Sequence, residues 1–377
     1  MSKRILAGMV GGGPGAGIGH SHRVAMRLDN RYALVAGAFS RDGEKSRQMG
    51  DELELPAERV YANFQQMAAT EAGRDDGIAC VAIVTPHNSH FEIAKAFLEH
   101  GMHVVCDKPL TVDLQQARDL QRLVNDTGLV FGLTHNYSGY AMVRHAARLV
   151  RDGALGKVRL VQVEHAHGRV LAPQRLWRAD PAVADEASVM FDLGTHAQHM
   201  VRFITGLEVT AVSAALHRII PGREIYDNAN VNLRFDNGAV GSLWASMAAV
   251  GNEHGLRVRV YGENGSIEWH HEDAQHLVVR DADARATTLA QGQAGLSADA
   301  ERNARAALGH PEGFFAAFAN LYSDVADAIN AHQRGEPFQA PELGCPTVAD
   351  GVEGVRFVEA VKRSNAAAGA WTDVRAV

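Results

Sequence analysis

Short apolar runs alternate with amphipathic segments through the first third of the chain. Apolar runs occur at residues 4–10, 33–39, 78–84, 103–106 and 129–133. Each run ends in glycine, proline or polar residues, which is typical of strands buried in a sheet. The segments between the runs, such as 44–53 and 90–100, suit helices. Strands that alternate with helices predict a parallel sheet covered by helices on both faces.

The pattern changes after residue 135. Apolar and polar residues alternate in the stretches 158–165, 209–219, 229–236, 239–247, 256–262 and 265–270. A period of two predicts half-exposed strands, so we expect a mostly antiparallel sheet that is open on one face. Flanking helices are expected near residues 140–151, 195–205, 313–332 and 347–367, and a long insertion or mobile loop at 281–308.

The composition restricts the class of protein more than it changes this fold. Hydrophobic residues make up 46% of the chain and charged residues 21%, which is ordinary for a soluble globular protein. The net charge of −7 argues against binding to nucleic acid or an anionic membrane, because both need a basic surface. The three cysteines form no C-x-x-C pair, which favours a reducing compartment. Since no signal-peptide pattern and no membrane-length apolar run occurs, we expect a cytoplasmic protein.

A glycine-rich loop, residues 11–19 (GGGPGAGIG), follows the first predicted strand and precedes a helical segment. Glycine in this place lets backbone N–H groups approach a pyrophosphate at a helix N-terminus. Gly11 and Gly13 fit the first two positions of G-x-G-x-x-G, and Gly19 fits the third after about three inserted residues. The loop predicts an α/β N-terminal Rossmann domain with a parallel sheet that binds a dinucleotide.

The chain of 377 residues is longer than one compact core usually allows, so two domains are expected. We place the Rossmann domain at residues 1–134. Residues 135–377 then form an α+β C-terminal domain that binds the substrate and mediates oligomerisation.

The end of the second predicted strand bears on the choice between NAD and NADP. A carboxylate there bonds the ribose 2′-hydroxyl of NAD, whereas an arginine accommodates the 2′-phosphate of NADP. The chain has Ser40-Arg41 at this point, and Asp42 follows. Arg41 is equally typical of a solvated surface residue. Asp42 is one or two residues further along the chain, still close enough to bond the ribose. We expect NAD or NADP, with NAD slightly favoured.

Four motifs in a fixed order suggest a known family. They are Ile18-Gly19-x-x-His22, Val84-Thr85-Pro86-His87-x-x-His90, Gly101-Met102-His103-Val104 leading to Asp107-Lys108-Pro109, and Asp192-Leu193-Gly194-Thr195-His196. The chain resembles the glucose–fructose oxidoreductase, inositol dehydrogenase and rhizopine catabolism (Gfo/Idh/MocA) family over nearly its whole length. One departure is Asp107, because the family usually has Glu-Lys-Pro at this motif.

Three more segments, 133–137 (LTHNY), 176–181 (LWRADP) and 309–313 (GHPEG), resemble the branch that contains levoglucosan dehydrogenase. After the strand at 158–165, relatives often carry a glutamine and a tryptophan where this chain has His167 and Arg169. We therefore expect a substrate that differs from that of any one relative.

The resemblance implies a nicotinamide-dependent dehydrogenase in which Lys108, Asp192 and His196 act on a ring carbinol of a sugar, anhydrosugar or sugar derivative. Lys108 follows a predicted strand at its carboxyl end, where such folds bind ligands, and would polarise the substrate oxygen. Asp192 and His196 are four residues apart, so a helix would place both on one side. Asp192 would orient His196 and favour its protonated form, and His196 would be the acid/base.

The resemblance also implies two larger sets of residues. The cofactor set is Gly11, Gly13, Gly19, Ser40, Arg41, Thr85, Pro86, His87, His90, Asp107, Lys108, Pro109 and Asn136. The substrate set is Lys108, Tyr137, His165, His167, Arg169, Trp177, Arg178, Asp192, His196 and His310. Core packing is an equal alternative for Trp177. No histidines and carboxylates have zinc-site spacing, so no metal is expected.

Three alternatives to a sugar dehydrogenase remain open at this point. Two are enzymes: an inositol (cyclitol) dehydrogenase, and a cofactor-retaining oxidoreductase or glycosidase that oxidises and re-reduces its substrate. The third is a non-catalytic sugar-sensing regulator on the same fold. A homodimer or homotetramer is expected through the C-terminal sheet, because a broad apolar sheet face is usually buried in a partner.

Overall fold

The computed structural model describes residues 4–168, 180–181, 184–338 and 341–377. The chain divides into two compact units. The first unit contains Met1–Gly139 and Phe314–Val352, and the second contains Tyr140–Gly313 and Glu353–Val377.

The first unit is built on a five-stranded parallel sheet in the order β2-β1-β3-β4-β5. Its strands are β1 (Ile5–Gly11), β2 (Tyr32–Ala38), β3 (Cys80–Val84), β4 (His103–Cys106) and β5 (Phe131–Leu133). The helices that alternate with them are α1 (Gly17–Leu28), α2 (Gly43–Glu52), α3 (Phe64–Ala72), α4 (His90–Glu99) and α5 (Leu114–Thr127). The predicted parallel α/β fold is thereby confirmed.

A single bridge extends this sheet beyond β2. Val60 pairs with Gly37 in parallel, and the N–H of Tyr61 donates to the carbonyl of Gly37 over 2.8 Å. If this bridge is counted as a strand, the order becomes the 3-2-1-4-5-6 order of dinucleotide-binding sheets. The strand order reverses between β1 and β3, and ligands bind such sheets where these strands end.

Local signals fix where the helices of the first unit begin and end. The side chains of Asp42, Asn63 and Asp113 accept backbone N–H bonds at the starts of α2, α3 and α5. Helix α5 ends at Gly128, whose φ of 65° is left-handed and therefore favours glycine. By contrast, α1 begins after Ala16 without any side-chain cap.

The second unit contains a nine-stranded sheet in the order β13-β12-β11-β10-β6-β9-β8-β7-β14. The strands are β6 (Val158–Ala166), β7 (Val209–His217), β8 (Asn228–Phe235), β9 (Val240–Ser246), β10 (Leu256–Gly262), β11 (Gly265–His270), β12 (His276–Asp281), β13 (Ala286–Ala290) and β14 (Thr372–Asp373). Only the β6–β9 pair is parallel among the described pairs, which confirms the mostly antiparallel sheet.

Helices pack on the sheet of the second unit. Helix α6 (Ala141–Arg151) lies against β11 and β12, and α7 (Thr195–Thr205) lies against β6, β9 and β10. A short helix, α8 (Ala298–Arg302), packs on α6. The stretch 281–308 therefore holds β13 and α8 rather than one long loop, because its sparse apolar residues, such as Leu289, still complete an edge strand.

We expected an apolar outward face on this sheet, but the observed face is polar. A hollow on it is lined by polar side chains that include Gln162, Asn230, Asn232, Ser242 and Arg259. These residues are the polar members of the alternating pattern, so the strands bury their apolar members on the other face.

The last part of the chain returns to the first unit. Helix α9 (Phe314–Gln333) packs on α1, and Phe318 and Tyr322 join the core formed by Ile5, Met9 and Met26. The final long helix, α10 (Val348–Ala366), spans the division between the units. No helix in the described ranges is both long and apolar enough to cross a membrane.

Candidate functional site

The glycine loop forms a tight cradle at the end of β1. Gly11 and Gly12 have φ angles of 85° and 75°, which only glycine adopts without strain. A Cβ on Gly11 would lie 2.8 Å from the Thr85 side chain, at the end of β3. The ends of β1 and β3 are therefore in contact where the strand order reverses.

Gly19 makes the closest approach within the loop. A Cβ on Gly19 would lie 2.5 Å from the Cα of Gly12, so α1 can approach the loop only with glycine at both positions. Gly13 packs differently, because its N–H donates to the carbonyl of Phe39 over 3.1 Å. The Arg23 guanidinium donates to the Gly12 carbonyl over 2.8 Å and fixes the loop from the helix side.

The start of α1 fits a pyrophosphate. Its N-cap, Ala16, supplies no side-chain hydrogen bond, and the first turn contains no acidic residue. The backbone N–H groups of this turn therefore keep their capacity to bind an anion. Together with the cradle at Gly11 and Gly12, this fits a dinucleotide.

The carboxylate that follows β2 is used in a helix cap, and no hydrogen bond in the described residues holds it towards a ribose. Asp42 instead caps α2, where its Oδ1 accepts from the N–H groups of Glu44 and Lys45 over 3.0 and 3.3 Å. Ser40 Oγ accepts from the Asp42 N–H, and the Arg41 side chain is exposed. Ser40 and Arg41 lie just after β2, where the sequence predicts contact with the adenosine ribose.

His90 joins two segments of the predicted cofactor set. Its ring is 1% exposed, with Nδ1 2.8 Å from the Pro109 carbonyl and Nε2 3.0 Å from the Thr85 carbonyl. Burial lowers the pKa of His90, although Asp107 and the carbonyls oppose this effect. The ring therefore lies between the turns at Thr85-Pro86 and Lys108-Pro109, and in its neutral form it donates to one of the two carbonyls. His87 is also buried, in the short turn that precedes His90.

Asp107 is the centre of a buried polar cluster beneath Lys108. Its Oδ1 accepts from the Thr134 hydroxyl over 2.9 Å and lies 3.9 Å from Nε2 of His22. His22 Nδ1 lies 2.7 Å from the Tyr322 hydroxyl. Burial alone would raise the pKa of Asp107, but His22 and Lys108 lower it to about 2. The carboxylate is therefore charged at neutral pH.

Lys108 follows Asp107 at the carboxyl end of β4, and its peptide bond to Pro109 is cis. Its side chain is half-buried. In a parallel sheet the carboxyl ends of neighbouring strands share one edge, so Lys108 lies on the edge that also carries the glycine cradle.

Asn136 and Tyr137 lie in a buried 3₁₀ turn, Asn136–Gly139, against α9. Asn320 Nδ2 donates to the Gly139 carbonyl over 2.8 Å and holds this turn. The Asn136 Nδ2 group is buried without a hydrogen-bond partner in the described residues. Such a donor suits a ligand that carries an acceptor, so Asn136 also fits the predicted cofactor set.

In the second unit, Asp192 lies on a π-helical turn, Met190–Gly194, that runs directly into α7. His196 lies in the first turn of α7 and is 5% exposed, whereas Asp192 is half-buried. Thr195 Oγ1 donates to the Phe191 carbonyl over 2.8 Å and ties the two segments together. Single π-helical turns inside α-helices are frequent at functional sites.

A row of imidazole rings continues from His196. The His165 ring centroid lies 5.8 Å from that of His196 and 4.8 Å from that of His254. His254 also contacts His271, at 4.9 Å, and stacks on His167, at 6.1 Å. Sequence reasoning missed His254 and His271 as site residues, because neither belongs to a motif.

Some predicted substrate residues lie elsewhere. His310 is exposed on the loop before α9. Arg169, Trp177 and Arg178 lie outside the described residues. Within the described ranges, no three histidine, cysteine or acidic side chains are arranged to hold a metal ion.

Comparison with known proteins identifies both parts of the chain. The model of an oxidoreductase family with an NAD-binding Rossmann fold matches residues 5–135. The model of the GFO/IDH/MocA C-terminal domain matches residues 143–268.

Three relatives illustrate the similarity. The uncharacterized oxidoreductase YfiI of Bacillus subtilis is 34% identical, over 100% of this chain and 98% of its own. The inositol dehydrogenase homolog of Azotobacter vinelandii in complex with NAD+ is 35% identical, with a TM-score of 0.96 over 99% of this chain and 98% of its own. Levoglucosan dehydrogenase of Pseudarthrobacter phenanthrenivorans is 27% identical over 60% of this chain and 68% of its own.

Proposed function

Because this chain belongs to the GFO/IDH/MocA family of NAD-binding oxidoreductases, we propose that it oxidises a ring carbinol of a sugar, an anhydrosugar or a sugar derivative. The chain is an enzyme and uses NAD. The observation that carries the proposal is the position of Lys108 on the sheet edge that also carries the glycine cradle. That arrangement brings a cation to the edge where a substrate would react with the nicotinamide of the cofactor.

The first unit would hold the cofactor. The α1 start and the glycine loop would bind the pyrophosphate, and Ser40 with Arg41 would border the ribose. The turns at Thr85 and Asn136 would border the nicotinamide. When bound, NAD supplies the hydride acceptor for alcohol oxidation.

Three side chains would handle the proton and the charge. Lys108 stabilises the negative charge that grows on the substrate oxygen as its proton leaves. His196 accepts that proton, and Asp192 orients the imidazole and stabilises its charged form. This assignment requires Lys108 and His196 to act on the same oxygen.

The cyclitol alternative has an observation in its favour. A second structure of the Azotobacter vinelandii homolog, in complex with NADH and myo-inositol, is 34% identical with a TM-score of 0.93 over 99% of this chain and 98% of its own. We therefore keep myo-inositol and related cyclitols as second candidates. A non-catalytic regulator is disfavoured, because it would not need Lys108, Asp192 and His196 together.

We also propose that the enzyme is a homodimer or homotetramer that associates through the outward face of the second-unit sheet. Leu160 on β6 pairs with Val240 on β9, and these side chains are 49% and 48% exposed. A cross-strand apolar pair inside a polar face suits a partly polar interface. Light scattering at micromolar concentration should show an oligomer that Leu160→Asp weakens, and a monomeric wild type would contradict this proposal.

The function is tested by a spectrophotometric screen. Levoglucosan, glucose, other monosaccharides, myo-inositol and scyllo-inositol are each mixed with NAD+ or NADP+, and formation of reduced cofactor is followed. We expect one class of polyol to give turnover with NAD+, and the Lys108→Ala variant to give almost none with it. Turnover that survives in Lys108→Ala would exclude the proposed mechanism.

A further inference from the structure

A line of hydrogen bonds in the second unit reaches the turn that carries Asp192. His165 Nδ1 lies 3.3 Å from the Leu193 carbonyl, and His165 Nε2 lies 3.2 Å from Nε2 of His254. Leu193 directly follows Asp192 in the π-turn. The line therefore ends on the backbone between the two proposed catalytic side chains of this unit.

The chemistry of the partners fixes the direction of these bonds. The Leu193 carbonyl can only accept, so Nδ1 of His165 must carry the hydrogen. In the neutral form of His165 the one N–H is then on Nδ1, which leaves Nε2 as an acceptor. His254 must then donate through its own Nε2. Each ring thus specifies the tautomer of the next.

His165 has little freedom to adopt another arrangement. Its side chain is 1% exposed, and its ring packs against that of His196. A change in the direction of the His165 ring would therefore disturb the Leu193 carbonyl and the His196 ring together.

Glu272 anchors the outer end of the line. Its Oε1 accepts from the backbone N–H groups of His254 and Gly255, over 2.9 and 2.5 Å. Its Oε2 lies 2.6 Å from Nε2 of His270. Burial opposes ionisation of Glu272, but these N–H bonds and His270 leave its pKa below the usual value. The carboxylate therefore holds the loop at His254 in place throughout the neutral range.

We propose that His254 and His165 are positioning residues for the catalytic pair: His254 fixes the tautomer of His165, and His165 holds the π-turn that aims Asp192 and His196. This inference rests on the proposed function, in which His196 is the base. It extends that function to two residues that do not touch the reacting atoms themselves.

Steady-state kinetics separate positioning from binding. With NAD+ and whichever of levoglucosan and myo-inositol reacts faster, His254→Leu should lower kcat about 10- to 100-fold and change KM less than about threefold, since a misaimed base costs rate rather than binding. His254→Gln should stay within about fivefold of wild type, because its amide N–H can still donate to His165. His276→Gln is the matched control, since His276 pairs with Asp273 on the same sheet. Equal losses in the Leu and Gln variants, or none in either, would overturn the proposal.

A second measurement needs no substrate. Nitrogen-15 spectra of the histidine-labelled protein should contain the signal of a neutral Nδ1–H tautomer of His165. This signal should disappear in His165→Asn and weaken in His254→Leu. Absence of that tautomer in the wild type would refute the inference. So would a zinc requirement that chelation removes, because a metal between the two Nε2 atoms would replace their hydrogen bond.

The two measurements also distinguish failure of the inference from failure of the proposed function. If none of the polyols gave turnover with NAD+, the proposed function would fail while the tautomer result could still hold. If His196→Ala were inactive and His254→Leu were fully active, only the positioning role would fail.

Discussion

The two units assemble their candidate residues in different ways. In the first unit, Gly11, Thr85 and Lys108 each lie at or just after the carboxyl end of a parallel strand, and each belongs to a short motif. In the second unit, the ring of His196 lies beside that of His165 on β6, and His165 in turn contacts His254 from a loop. A parallel sheet collects its strand ends on one edge by topology alone, whereas an antiparallel sheet collects residues by register.

The register explains the histidine row. His165 at the end of β6 pairs with Leu256 at the start of β10, and Arg257 pairs with His270 at the end of β11. The end of one strand thus meets the start of the next at a single edge of the sheet. His254 reaches this edge from a loop and His271 from a short 3₁₀ turn, and neither segment carries a sequence motif. The candidate residues of the second unit are therefore harder to find in the sequence than those of the first.

The largest expected effect tests whether the first unit supplies chemistry as well as binding. Lys108→Ala should lower turnover about 10³-fold, because the growing negative charge on the substrate oxygen loses its cation. NADH binding, measured by fluorescence titration, should change less than about threefold. Lys157→Ala, at an exposed position, is the control. Wild-type turnover in Lys108→Ala would leave the first unit with a binding role only.

The next effect concerns a buried imidazole of the first unit that lies outside the candidate site. His103 is 4% exposed, and its Nδ1 accepts from the Val130 N–H over 3.0 Å. Burial and the neighbouring His332 lower the pKa of His103 from 6.5 to about 4. The native state therefore resists the proton that the unfolded chain takes up below pH 6.5.

Stability that is present above pH 6.5 should consequently be lost as the pH falls towards 4, by roughly 3 kcal/mol. Urea unfolding followed by circular dichroism at pH 7 and pH 4.5 should show this loss in the wild type and a smaller one in His103→Gln. The glutamine can still accept from Val130. An identical pH dependence in both proteins would show that His103 does not control it.

A smaller effect tests the glycine cradle. Gly19→Ala should raise the Kd for NADH about tenfold or more, because the added Cβ would lie 2.5 Å from Gly12 Cα and the loop must shift. Gly73→Ala, at the end of α3, is the control, since its Cβ would lie no closer than 3.7 Å to another atom. Similar affinities in the two variants would show that the close approach is not needed for binding.

The smallest effect concerns cofactor choice. Arg41 is exposed, so its contact with a 2′-phosphate would be worth less than about 1 kcal/mol. Arg41→Ala should raise KM for NADP+ about threefold and leave KM for NAD+ unchanged in steady-state assays. Equal values in wild type and variant for both cofactors would leave Arg41 as a solvated surface residue.

Sequence patterns predicted most of the fold of the first unit. Its strands are short apolar runs with clear ends, and caps such as Asp113 are local signals. The same patterns did not predict that α9 completes the first core, because Phe318 and Tyr322 follow ordinary helical spacing that names no partner. Membership of a core is a long-range property that periodicity does not encode.

The second unit shows other limits of the sequence. The π-turn was not predicted, because an extra residue in one helical turn leaves periodicity almost unchanged. Gly194 is a local sign of the π-turn, because a Cβ at this position would lie 2.5 Å from the Met190 side chain. The polar outward face was predictable, since Gln162 and Asn232 occupy the alternate positions of their strands. The roles of Asp192 and His196 remain predictions from the family motif.

The return of α9 to the first unit constrains how the protein is made. The ribosome completes Tyr140–Gly313 before α9 emerges, so the apolar surface that later contacts Phe318 and Tyr322 stays uncovered during that time. A nascent chain that ends at Gly139 lacks part of its own core. The nucleotide-binding unit therefore cannot complete its core until α9 has been made, and the second unit waits even longer, for Glu353–Val377.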